Sequence, residues 1–146
     1  MSRLKMGKVQ PAAYKAMDAL DKYMESTSID KRHYELIKIR ASQINGCAYC
    51  VDAHTGDALN LGMEARKLYL VGVWREAPNF FTAEEQLLLA ITEEITLIHQ
   101  HGLSESLYQQ ALSTFGEEKT AQVIMGIITI NAWNRIGVSL NMHPPL

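Results

Sequence analysis

Few cysteines, few prolines and no long hydrophobic run narrow the possibilities before any motif is read. Two cysteines in 146 residues cannot supply the disulfide framework of a small secreted scaffold. A chain of this length buries roughly 68–70% of its unfolded surface in one core, so it needs no such framework. The longest apolar stretch, Val123 to Ile130, is broken by Gly126 and Thr129 and is far too short for a bilayer. Met1 to Gln10 is basic and polar without an apolar h-region, so no signal peptide is expected. Neither sign of charge is in excess, with 14 Lys and Arg against 16 Asp and Glu. That balance gives no electrostatic case for a nucleic-acid or membrane partner. These absences predict a cytoplasmic chain. In that compartment a close cysteine pair is more often redox-active or metal-binding than structural.

Strand patterning is also missing. No segment sustains period-two alternation between hairpin turn signals, whereas helical spacing runs nearly throughout. A first helix is predicted from Pro11 to Glu25, with proline suited to the first turn. Asp30 caps a second, which ends at the stop signal Asn45-Gly46. A third runs from Cys47 to Leu61, and a short fourth from Met63 to Leu70. Gly72, Pro78 and Asn79 mark a loop holding Trp74-Arg75-Glu76. Thr82-Ala83-Glu84-Glu85 is a capping-box pattern opening a long amphipathic helix through Ile98 to Gly102. Ser104 caps the next, ending at Gly116, and Glu117 opens the last. The expectation is an all-α fold: residues 1–146 as a single-domain helical bundle of about seven helices, with a central helical hairpin carrying the C-x-x-C motif. The stretch Val123 to Ile130 is apolar almost all round and should be buried on all sides, in the core or extending into a subunit interface. His99 and His101 are read as the favourable cationic end of a helix. Asp18, Asp21 and Lys22 read as a solvated helix face.

What is present is the pair itself. Cys47 and Cys50 are the only cysteines, and on a helix they share one face with His54. The turn at Asn45-Gly46 places both cysteines in the first turn of the third helix. There unpaired N–H groups and the positive end of the dipole stabilise a thiolate, the reactive form. Two thiols so close can close a local disulfide, whose loop is too small to add much stability. A reversible redox role explains the pair better. In a compact helical hairpin, Glu35 and His54 fall at similar levels at ~1.5 Å rise per residue. Glu35 is therefore expected to orient the His54 imidazole, which handles the proton of a thiol.

Glu35, Cys47, Cys50 and His54 form the pattern E-x11-C-x2-C-x3-H. It resembles the core motif of the alkyl hydroperoxidase D family, in the wider carboxymuconolactone decarboxylase-like superfamily. Ser42 to His54, Trp74-Arg75-Glu76 and Asn131-Ala132-Trp133-Asn134-Arg135 resemble it too. The resemblance implies an all-helical subunit assembled into trimers or hexamers. It implies a thiol-dependent peroxidase or disulfide oxidoreductase with an antioxidant role, needing no metal or bound cofactor. Cys50 would attack a hydroperoxide substrate and become a sulfenic acid, Cys47 would condense with it, and His54 and Glu35 would relay protons. An external thiol or dithiol electron donor, a peroxiredoxin among the candidates, would reduce the disulfide. Tyr49 departs from the best-studied branch, which has a second histidine at that place. A neutral tyrosine donates a hydrogen bond but accepts protons poorly.

Two other classes compete. A carboxymuconolactone decarboxylase-type lyase would leave the cysteine pair idle. A non-enzymatic redox or metal sensor is the other; for zinc, Cys47, Cys50, His54 and Glu35 would be the four ligands. Structural zinc sites rarely use such a set, and a C-x2-C without a second pair is a weak signal. A thioredoxin-like domain needs a strand before its C-x-x-C.

Overall fold

The computed structural model describes residues 3–146. It contains seven α-helices: α1 (Met6–Val9), α2 (Pro11–Glu25), α3 (Lys31–Asn45), α4 (Ala48–Asn60), α5 (Ala65–Tyr69), α6 (Ala83–Thr96) and α7 (Glu105–Ser139). No strand occurs among the described residues. This is the all-helical bundle expected, with its cysteine-bearing hairpin formed by α3 and α4.

Local chemistry explains most boundaries. Asp30 accepts hydrogen bonds from the Arg32 and His33 N–H groups, capping α3. Thr82 and Glu85 close a reciprocal capping box on α6. Gly116 (φ 79°, ψ 172°) breaks α7 into two arms at the position where two helices were expected to meet. Only glycine adopts that conformation without strain. Three details differ from expectation. Trp74-Arg75-Glu76 lies in a 3-10 turn (Val71–Glu76) rather than an open loop. Here Glu93 accepts hydrogen bonds from the Trp74 indole and from Arg75, and it also pairs with Arg40. α6 stops at Thr96, so His99 and His101 lie in and after a short 3-10 turn and do not cap it. The apolar run of α7 is not buried all round: Ile127 and Ile130 are fully buried, whereas Ile128 is 44% exposed on this single chain.

α3 is the centre of the molecule and packs on α4, α6 and α7. Its three faces do different jobs, as the helical period dictates. Leu36 and Ile39 enter a core with Ala58, Val71, Trp74 and Leu89. Ile37 and Ala41 enter a second with Leu88, Ile91, Val123 and Ile127. Each fully buried aliphatic side chain stabilises the fold by roughly 1.5–3 kcal/mol before entropy is counted. The third face carries Glu35, Lys38 and Ser42, and two packed cores hold it rigidly toward the cysteines.

Candidate active site

The α3–α4 turn is a Schellman motif. Gly46 takes the left-handed conformation (φ 69°, ψ 30°), its N–H donates to the Gln43 carbonyl, and the Cys47 N–H donates to the Ser42 carbonyl. This fixes the entry of α4. Cys47 was expected inside the first helical turn; it is instead the N-cap, and its Sγ accepts a hydrogen bond from the Cys50 N–H at 3.4 Å. Cys50 lies in the first turn. The two are joined as a disulfide, with Cα atoms 5.3 Å apart. Both are buried, at 2% and 6% exposure.

The two cysteines open onto different spaces. Cys50 lines a cavity of about 1040 Å³ together with Tyr34, Glu35, Lys38, His54 and Trp133. Cys47 instead borders a separate space of about 480 Å³ with Gly46 and Val51. Tyr49 is exposed and borders the larger cavity.

Glu35 and His54 meet across the hairpin as expected. His54 Nδ1 is 3.3 Å from Glu35 Oε2, and Asp57 Oδ2 is 3.7 Å from the same nitrogen. The Glu35–His54 pair is out of line for a full hydrogen bond, and neither atom has another hydrogen-bond partner among the described residues. The other carboxylate oxygen, Oε1, forms an ion pair with Lys38 Nζ at 2.7 Å. Burial by itself would raise the Glu35 carboxyl, but His54 and Lys38 outweigh it and hold the group below the usual carboxylate range. It is therefore an anion at neutral pH. Burial, with the nearby Asp21 and Glu35 charges, pushes the Tyr34 phenol far up, so it stays neutral.

Sequence reasoning gave no role to several neighbours, although the family resemblance singles out the stretch Asn131 to Arg135. Lys38 follows Glu35 by three residues, a spacing that signals helical ion pairing. Its ammonium also lies 4.3 Å from the centre of the Tyr34 ring. Asp21 is not a solvated charge: it accepts a hydrogen bond from Trp133 Nε1 at 3.1 Å, and partial burial raises its carboxyl above the ordinary value. Behind the cysteines, α7 supplies Asn131, Asn134 and Gly137 on one face. Asn45 Nδ2 donates to Oδ1 of Asn131 (2.9 Å) and of Asn134 (3.0 Å), and Asn134 Nδ2 donates to Ser42 Oγ at 2.9 Å. Asn134 is fully buried.

Glu35, His54 and Asp57 each bring a ligand atom within 4.8 Å of one another. They are the residues that could share a cation. Lys38 already supplies a positive charge beside Glu35, and in the disulfide form neither sulfur is available to the four-ligand set considered for zinc.

Comparison with known proteins places this geometry. Residues 11–93 match the carboxymuconolactone decarboxylase family. An uncharacterized Bacillus subtilis protein, YdfG, is 36% identical over 138 residues, covering 94% of this chain and 93% of that relative. A crystal structure of a protein of unknown function from Agrobacterium tumefaciens, named as a candidate AhpD antioxidant-defence protein, is 35% identical. It superposes with a TM-score of 0.95, covering 100% of this chain and 99% of that one. The debrominase Bmp8, solved as a Cys-to-Ala variant with 2,3,4-tribromopyrrole, is 19% identical with a TM-score of 0.82, covering 93% and 72% of the two chains. That last likeness is one of fold.

Proposed function

The chain belongs to the carboxymuconolactone decarboxylase family, in its AhpD-like form, and on that premise we propose that it is a thiol-dependent peroxidase acting through Cys47 and Cys50. The observation that carries this reading is the convergence of Cys50, His54 and Glu35 on one cavity, with Cys47 outside it but in bonding reach of Cys50.

The reaction starts from the dithiol. With Nδ1 turned toward Glu35 and Asp57, His54 has Nε2 left for proton transfer. It takes the Cys50 proton, and the thiolate attacks the outer oxygen of a hydroperoxide. The O–O bond breaks, an alkoxide leaves, and His54 returns the proton to give the alcohol. Cys50 is then a sulfenic acid. Cys47, whose sulfur accepts the Cys50 N–H, is stabilised as a thiolate. It attacks the Cys50 sulfur; the S–S bond forms, the S–O bond breaks, and hydroxide leaves as water after gaining a proton. An external dithiol supplies two electrons and two protons to restore the pair. Glu35 keeps the imidazole oriented while it carries the proton.

The family resemblance leads us to propose a homo-oligomer, a trimer or hexamer, and Ile128, 44% exposed on the single chain, is a side chain that such an assembly could cover. Sedimentation of the purified protein measures this.

The central test is chemical. One equivalent of organic hydroperoxide should remove two hydrogens from the reduced protein by intact mass and abolish both free thiols. Cys50→Ser should consume no peroxide above the solvent rate. If it reduces peroxide as fast as the parent, the reading is wrong. Turnover of a carboxylated lactone by a protein lacking both cysteines would point to the lyase class instead.

A further inference from the structure

Gly137 stands inside α7 where that helix crosses the disulfide. Its φ is not positive, so the backbone does not call for glycine there. A glycine in a helix interior costs roughly 1 kcal/mol relative to alanine. The reason for it lies in space. A β-carbon at this position would sit 2.9 Å from Cys47 Sγ and 3.5 Å from Cys50 Sγ. Real β-carbons do not approach a neighbour as closely as the first distance, so something would have to shift.

Little around it can shift. One turn earlier on the same face, buried Asn134 ties α7 to Asn45 and Ser42 at the end of α3. That same end forms the Schellman turn that fixes the Cys47 backbone. Neither α7 nor the hairpin can withdraw without breaking buried hydrogen bonds. The remaining freedom is rotation of Cys47 about χ1 into another staggered well. Such a rotation swings Sγ away from α7 and out of bonding reach of Cys50. A methyl group at 137 therefore opposes the disulfide while leaving the dithiol room to relax.

We propose that Gly137 is a positioning residue for the redox pair: by carrying no side chain it lets Cys47 Sγ lie against α7 within reach of Cys50, and so favours the disulfide over the dithiol. The inference rests on the redox reading above. It bears on the step in which the Cys47 thiolate displaces hydroxide from the Cys50 sulfenic acid, since that step needs Cys47 Sγ in this place.

Gly137→Ala tests it. Parent and variant are equilibrated in glutathione buffers of graded ratio, the thiols are trapped by alkylation, and the disulfide fraction is read by mass. The equilibrium constant for disulfide formation should fall at least tenfold in the variant, a rise of ~30 mV in reduction potential. The reduced variant should melt no lower than the reduced parent, because alanine favours the helix. After one equivalent of hydroperoxide, dimedone should capture more Cys50 sulfenic acid in the variant. Titration curves that coincide with the parent would overturn the inference. Should Gly137→Ala fold poorly, the same change is made in a Cys47→Ala background. Recovery there supports crowding against Cys47; equal damage in both backgrounds overturns it. A parent that never forms the disulfide with peroxide defeats the redox reading itself, whereas a cycling parent with an identical variant defeats only this inference.

Discussion

His54 Nδ1 lies 3.3 Å from Glu35 Oε2, and this contact bridges α3 and α4 one helical turn beyond Cys50. The carboxylate is buried and anionic, so it faces the ring nitrogen with a fixed charge that orients it. Lys38 pairs with the other oxygen, so the carboxylate is held between an ammonium and the imidazole.

Glu35→Gln keeps the shape and removes the charge. Loss of an acid–base orienter should lower the rate constant for peroxide reduction roughly ten- to hundredfold, below the full ~10²–10⁴-fold effect of general acid–base catalysis. The Cys50 alkylation profile should move to higher pH, because His54 becomes a weaker partner for the thiolate. Stopped-flow peroxide consumption and pH-dependent alkylation measure the two effects, and an unchanged rate would remove Glu35 from the relay.

The same carboxylate makes stability depend on acid. Burial would raise the carboxyls of Glu35 and Glu93, but His54 and Lys38 in one case, and Arg75, Trp74 and Arg40 in the other, hold them below the usual range. A group depressed on folding binds fewer protons folded than unfolded, so its contribution is complete above its unfolded value of about 4.3. It is lost as pH falls through the lower folded value. Urea midpoints should therefore drop on acidification below about pH 4.5 in the parent. Glu93→Gln should start less stable near neutrality and fall less steeply. A variant curve parallel to the parent's would contradict the assignment.

How far this site could be read from the chain follows from where each contact comes from. Glu35 and His54 were predictable partners because they belong to consecutive helices. Asn45-Gly46 identifies the turn, and the helical rise sets the levels. Lys38 sits on the same helix as Glu35 and was open to the same reasoning. Asn134, Gly137 and the Trp133–Asp21 bond were not. Asn134 meets Asn45 and Ser42 across 89 and 92 residues, and Trp133 meets Asp21 across 112. No local period encodes how α7 returns over the hairpin. Gly137 did carry one sign, a helix-breaking residue in a strong helix, which implies a close approach of something. Ile128 shows the converse. Its apolar neighbours predict burial in the core or in a subunit interface, and on the single chain Ile127 and Ile130 are buried while Ile128 is 44% exposed.

Asn134→Ala should be destabilising by roughly 2–4 kcal/mol. It deletes the bonds to buried Ser42 and half-buried Asn45, leaving Ser42 Oγ with only its bond to the Lys38 carbonyl and Asn45 Nδ2 with only its bond to Asn131. The Asn45-Gly46 turn loosens with it, so the loss should be larger in the disulfide form, whose geometry depends on that turn. Urea unfolding of the oxidised and reduced proteins measures both numbers. Equal losses in the two forms would mean that the network supports the bundle without bearing on the cysteines.

Cys47→Ser separates the two halves of the cycle. Cys50, His54 and Glu35 are untouched, so a single turnover with hydroperoxide should proceed within a few-fold of the parent rate. The sulfenic acid then has no neighbouring thiol to condense with. It should accumulate as a gain of one oxygen by intact mass, react with dimedone, and pass to sulfinic acid in excess peroxide. Steady-state turnover with a dithiol donor should collapse, because no internal disulfide can form. The N-cap changes little, since serine caps a helix as well as cysteine does or better, so the variant should melt close to the reduced parent. The assignment of roles reverses under one result. If Cys47→Ser fails in the first turnover while Cys50→Ser retains it, the attacking sulfur is the one at the N-cap, and the cavity beside His54 serves the resolving step.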